Sequence, residues 1–68
     1  PATAQELEHL YNHIERLALD SGFLNPENPR YLMRRLRRLF ARATPDQNEV
    51  NILRGLLAQL ESDRWRKT

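Results

Sequence analysis

Apolar residues recur every three or four positions in three blocks of this chain, and prolines, a glycine and short polar residues fence the blocks off. In the first block Leu7, Leu10, Tyr11, Ile14, Leu17 and Ala18 keep the i, i+3, i+4, i+7 spacing that lines one side of a helix. Thr3 and Glu6 stand ahead of it as a T-x-x-E capping box, which satisfies backbone N–H groups that a helix start leaves without partners. Gly22 suits the left-handed stop at the other end, with Phe23 or Leu24 folding back on the last turn. In the connector "NPENP", residues 25 to 29, each proline biases its predecessor away from helix. Asn28 is then the expected N-cap of a second helix, with Pro29 in its first turn.

Leu32, Leu36, Leu39, Phe40 and Ala43 form the stripe of that second helix, with Met33 at its border. "TPDQ" restarts the chain, with Thr44 as N-cap, Pro45 at the first helical position, Gln47 at the third and Asp46 complementing the helix dipole. Val50, Leu53, Leu57 and Leu60 make the core stripe of a third helix, widened by Ile52 and Leu56. Asn51, Arg54 and Gly55 fall on its other side. A mid-helix glycine costs roughly 1 kcal/mol relative to alanine, so Gly55 predicts a close approach by backbone or ligand. Helices are thus expected over residues 4–21, 29–43 and 45–63, the last fraying near Asp63. Short connectors join them into an all-α, three-helix bundle, with Tyr11 and Phe40 in its core.

Length and composition narrow the classes. A chain of 68 residues leaves no room for a second domain, and a core of this size typically supplies only ~3–5 kcal/mol. With no cysteine, neither a disulfide nor a thiolate zinc site can staple it. Packed helices must carry the stability, helped by a neighbouring domain or a second copy. No apolar run approaches the roughly 18–20 residues that span a bilayer, and the absence of cysteine with no visible signal peptide points to a reducing, cytoplasmic setting. The first residue is Pro1, which fits initiator removal or a piece of a longer protein.

Charge changes the picture most. The net charge is only +2, yet residues 30–44 carry +6 and residues 64–68 carry +3, leaving −7 for the rest. At about 100° per residue, Arg30, Arg34, Arg37 and Arg38 lie opposite the apolar stripe of the second helix, with Arg35 and Arg42 on one shoulder. Arginine offers a planar fork of donors that matches phosphate oxygens and stays charged at any relevant pH. This face holds no interleaved acid, so it points to a nucleic acid. The competing explanation is pairing with the acidic flank of the first helix through Glu6, Glu8, Glu15 or Asp20. A membrane surface or an acidic protein is a lesser alternative.

Other constellations are weaker. His9 and His13 sit at i, i+4, but on the polar side of the first helix and outside any H-E-x-x-H pattern, so a solvated face is expected rather than a metal site. Trp65, among Arg64, Arg66 and Lys67, either lids the end of the bundle or stacks on an unpaired base. No nucleophile set, phosphate loop or roomy cleft is evident, so this chain alone is not read as catalytic. A helix-turn-helix DNA reader fits less well, because the second helix lacks base-reading Asn, Gln, Ser or Thr near its start. Arginine-only surfaces suit phosphate positioning and RNA shape recognition.

The stretch "LRRLFARATPDQNEVNILRGLLAQLE", residues 36 to 61, resembles the C-terminal domain of the TrmJ family of bacterial tRNA (cytidine/uridine-2′-O-)-methyltransferases. Leu36-Arg37-Arg38-Leu39-Phe40, then Arg42, Pro45 and Asn51-Ile52-Leu53-Arg54-Gly55, carry the similarity, and Gly22-Phe23 extends it upstream. The resemblance implies a small helical tRNA-binding extension of a SPOUT-class enzyme. In that enzyme a trefoil-knot catalytic domain binds S-adenosylmethionine, dimerises, and methylates a ribose 2′-hydroxyl of the anticodon loop. By the same analogy Arg37, Arg38, Arg42 and Arg54 carry over as RNA contacts, whereas Arg34 and Arg35 join them on charge alone. No cofactor is expected in this chain itself. A structural module that packs on the catalytic domain or on a second subunit remains the alternative, and it predicts an exposed apolar strip at Ile52 and Leu56.

Overall fold

Three helices make up the architecture: α1 (Ala4–Ser21), α2 (Pro29–Ala43) and α3 (Gln47–Arg66). The computed structural model describes the backbone of residues 1–66 and the side chains of residues 1–28 and 30–62. Among the described residues there is no strand, and no helix is long and apolar enough to cross a membrane. The all-α, three-helix expectation therefore holds.

Both halves of the capping box at α1 form. The Thr3 hydroxyl accepts the Glu6 N–H at 3.1 Å, and Glu6 Oε1 accepts the Thr3 N–H at 2.8 Å. The helix stops at Gly22, whose φ of 82° is left-handed and whose N–H donates to Leu19 O at 3.2 Å. Leu24 is the residue that folds back: it is buried, and its N–H donates to Ala18 O at 3.0 Å, while Phe23 is 77% exposed. Asn28 occupies the N-cap of α2 without a side-chain cap bond. Asn25 organises this connector instead, its side-chain oxygen accepting the Glu27 N–H and its carbonyl the Asn28 N–H, both at 3.0 Å.

The start of α3 differs from the expected one. Asp46, not Thr44, is the cap, since its carbonyl accepts the first helical bond, from the Val50 N–H at 3.0 Å. Its carboxylate accepts the Glu49 N–H at 2.7 Å, and Glu49 returns the bond to the Asp46 N–H at 2.9 Å. A carboxylate at the cap also meets the positive end of the helix dipole, which a hydroxyl cannot do. Thr44 closes α2 instead, at a left-handed φ of 43° with its N–H on Phe40 O at 2.9 Å. Pro45 is buried in the turn, and its carbonyl accepts the Ala2 N–H at 2.9 Å, tying the N-terminus to the α2–α3 connection. At its far end α3 continues through position 63 to Arg66.

Helix α1 is the centre: among the described residues α2 and α3 make their close backbone approaches to it, while Phe40 and Ala43 of α2 and Ile52 and Leu53 of α3 line a common hollow of about 340 Å³. The result is flat, 39 × 28 × 16 Å, with a radius of gyration of 12.6 Å. A compact chain of this length would have about 11 Å. Leu10, Tyr11, Ala18, Leu24, Met33 and Val50 are buried. Only the edge of each outer helix that faces α1 is covered, and this shifts the expected stripes. Met33, placed at the border, is buried, whereas Leu39, Ile52, Leu56 and Leu60, placed in the stripes, are exposed. The space a Cβ on Gly55 would occupy is open to 4 Å, so the close backbone approach expected there is absent. Among the described residues, nothing crowds α3 at that position.

Candidate nucleic-acid interface

The arginines of α2 separate into two groups, and not along the division the helical wheel suggests. Arg30, Arg34 and Arg37 line a surface hollow of about 360 Å³ with Met33 and with Glu15 of α1. Arg35, Arg38 and Arg42 line another, of about 340 Å³, with Leu36 and Leu39. Arg38 thus joins the shoulder pair rather than the face opposite the stripe. The roll of α2 that buries Met33 turns Leu39 outward, to 46% exposure among these guanidinium groups.

Arg37 is held by α1. Both its terminal nitrogens donate to Glu8, Nη2 reaching Oε1 at 3.2 Å and Nη1 reaching Oε2. Its guanidinium carbon also lies 4.6 Å from the centroid of the Tyr11 ring, a cation–π distance. Tyr11 in turn packs on Phe40 with ring centroids 5.9 Å apart, so these four residues knit α1 to α2. The hydrogen bond from Arg37 holds the Glu8 carboxyl below its ordinary range, and the bond to Glu8 raises Arg37. Pairing with the acidic flank is therefore realised at Arg37. Among the described residues, Arg30, Arg34, Arg35, Arg38, Arg42 and Arg54 have no ion-pair partner. Arg54 is exposed on α3 and lines neither arginine hollow.

His13 does not lie on a solvated face. It is 7% exposed, because α3 packs across that side of α1, and its Nε2 lies 3.3 Å from Glu61 Oε1. Arg16 donates to both oxygens of the same carboxylate, at 3.2 and 3.3 Å. The bond from His13, with Arg16 assisting, depresses the Glu61 carboxyl. Periodicity marks neither His13 nor Glu61, since their meeting depends on how α3 crosses α1. His9 is exposed, and among the described residues no three His, Cys, Asp or Glu side chains gather to hold a metal. The two roles considered for Trp65 and the basic tail lie outside the described side chains.

Comparison with known proteins adds a second line. The family described as "tRNA methyltransferase TrmJ, C-terminal domain" matches residues 5–68. The tRNA (cytidine/uridine-2′-O-)-methyltransferase TrmJ of Cronobacter sakazakii is 50% identical over 62 residues, 91% of this chain and 25% of that protein. The tRNA (cytidine/uridine/adenosine-2′-O-)-methyltransferase TrmJ of Pseudomonas aeruginosa is 54% identical over 59 residues, 87% of this chain and 23% of its own. A Photorhabdus laumondii TrmJ is 47% identical over 64 residues, 94% and 26% respectively. The chain spans about a quarter of the length of these relatives.

Proposed function

The chain belongs to the family of TrmJ C-terminal domains, and from that premise we propose that it is the tRNA-binding module of a longer tRNA ribose 2′-O-methyltransferase. The observation that carries the reading is the Arg35, Arg38 and Arg42 edge of α2, which has no acidic partner among the described residues. Guanidinium groups without internal partners bind phosphate through charge-assisted hydrogen bonds, and those contacts orient a nucleic acid without reading its bases. In this division of labour a trefoil-knot domain elsewhere in the cytoplasmic, homodimeric protein performs methyl transfer in the anticodon loop. The present domain raises local tRNA concentration and fixes its orientation.

The methyl donor implied by the family, S-adenosylmethionine, does not fit this chain. Among the described residues its hollows are open surface depressions lined by arginines or by mainly apolar side chains, and no glycine-rich backbone cradle accompanies them. Donor binding belongs to the remainder of the longer protein.

Anisotropy of a labelled tRNA titrated with this chain at several salt concentrations tests the reading. The logarithm of the binding constant should fall with log[salt] by about 0.7–0.9 per phosphate contact. Absence of binding even at low salt sinks it. The second reading, a module that docks on the catalytic domain or another subunit, rests on Ile52 and Leu56, which are 61% and 54% exposed. Isolated chain that sediments as a clean monomer and shows no affinity for the catalytic domain counts against it.

A further inference from the structure

We propose that tRNA lies along the Arg35, Arg38 and Arg42 edge of α2, and that Arg37 makes no contact with it but positions that edge through Glu8 and Tyr11. This rests on the tRNA-binding reading above and divides its arginine helix into a contact edge and a fastening edge.

The geometry behind the division begins with the helix period. At about 100° per residue, Arg35, Arg38 and Arg42 project roughly 100–160° around α2 from Arg37. Arg37 is fastened to Glu8 and stacked on Tyr11, so it marks the side of α2 that faces α1. A phosphate seated on the opposite edge lies away from that fastened guanidinium. The three outward arginines follow i, i+3, i+7 spacing and cover about 10 Å of helix at 1.5 Å per residue, a length suited to a short run of phosphates. Leu36 and Leu39 floor the hollow between them, giving the apolar face of a sugar or base a surface to rest on.

Electrostatics favour the same division. A phosphate approaching Arg37 meets the carboxylate that already occupies two of its donors, and Glu15 lines the same hollow. The Glu15 charge also acts on Arg37, along with that of Glu8. No carboxylate lines the outer hollow. Counterion release at the outer edge is thus unopposed by a neighbouring carboxylate, whereas Arg30 and Arg34, though without an ion pair among the described residues, share their hollow with Glu15.

Arg37 acts through the others by fixing the rotation of α2. Its bidentate bond, its ring contact and the Tyr11–Phe40 packing are the links described between these helices at this level, and they determine which way residues 35, 38 and 42 point. Loosening the fastening leaves three arginines on the chain but blurs their common edge.

The test is the salt dependence of tRNA binding by this chain and three variants, with helicity followed by circular dichroism. Arg35→Gln/Arg38→Gln/Arg42→Gln should lower the slope of log K against log[salt] by about 2–3, the value for three lost contacts. Arg37→Gln should weaken binding by up to about fivefold, the scale of an exposed ion pair, with the slope unchanged. The exchange Glu8→Arg/Arg37→Glu keeps the net charge and the ion pair but not the Arg37 stacking on Tyr11, so it should recover part of the lost affinity with the wild-type slope. Loss of a full contact in Arg37→Gln, about 0.7–0.9 in slope, together with no recovery in the exchange, would make Arg37 a phosphate ligand and overturn the proposal. Wild-type affinity in Arg37→Gln would remove the positioning role instead. In either case the tRNA-binding reading stands, and it fails separately if the unmodified chain does not bind.

Discussion

Two glycines in this chain do opposite things, and a methyl group added to each separates them. Gly22 sits at a φ of 82°, where a Cβ crowds the following carbonyl, so Gly22→Ala should lower stability by about 1–2 kcal/mol. Gly55 has ordinary helical geometry and open space around its missing Cβ. There alanine removes the entropic cost of mid-helix glycine, so Gly55→Ala should raise stability by about 0.5–1 kcal/mol. For a domain of this size 1 kcal/mol corresponds to a Tm change of about 4–8 °C, and thermal melts of the two variants resolve the opposite signs. An unchanged or lower Tm for Gly55→Ala means that a neighbour comes within reach of α3 at that position. Among the described residues Thr44, at a φ of 43°, is the non-glycine residue in the left-handed region, and its β-branch makes that conformation costly. The buried Pro45 and the bond from Ala2 to its carbonyl hold the chain there.

Between elements, two carboxylates fasten the outer helices to α1: Glu8 takes Arg37 of α2, and Glu61 of α3 takes His13 and Arg16. Both carboxyls are held below their ordinary value of 4.5 by the hydrogen bonds they accept. A depressed carboxyl adds stability that is fully present above its unfolded value and lost as pH falls through the folded one. The contribution of the Glu8 pair, whose partner stays charged throughout, is thus intact at neutral pH and disappears below about pH 4.5. Glu8→Gln should flatten the acid limb of stability against pH, measured by urea midpoints between pH 3 and 7. An acid limb identical to that of the unmodified chain means the pair contributes nothing. What the sequence made legible follows the same line between local and tertiary causes. The Thr3–Glu6 box, the Gly22 stop and the apolar period are properties of a few consecutive residues, and they placed α1 and α2. The Asp46–Glu49 box is equally local, but T-P-D-Q offers two overlapping caps, and the burial of Pro45 decides between them. The roll of α2, the burial of His13 and the choice of Glu8 over Glu6, Glu15 or Asp20 as partner of Arg37 depend on how helices meet, which no single-helix pattern encodes.

At the scale of the molecule, flatness governs both stability and association. Because α2 and α3 each pack chiefly on α1, each leaves part of an apolar stripe uncovered: Leu39 on α2, and Ile52, Leu56 and Leu60 on α3. A second uncovered area joins α1 to α3, where Ile14, Leu17, Ala18, Phe23, Leu57 and Leu60 line a hollow of about 300 Å³. In a closed three-helix bundle Ile52 and Leu56 would face a neighbouring helix, and charging both would cost several kcal/mol through buried, unpaired carboxylates. In the flat arrangement they touch little. Ile52→Glu/Leu56→Glu should therefore keep the unfolding free energy within about 0.5 kcal/mol per substitution, as for surface positions generally. It should also leave tRNA affinity close to that of the unmodified chain, apart from the modest weakening expected from two added negative charges. Urea denaturation of the double variant measures the first quantity and anisotropy the second. Collapse of the fold would show that α2 and α3 close over these side chains. Retention of the fold and of tRNA binding, together with weakened docking to the catalytic domain, would assign the strip to that partner and leave the arginine edge to the RNA.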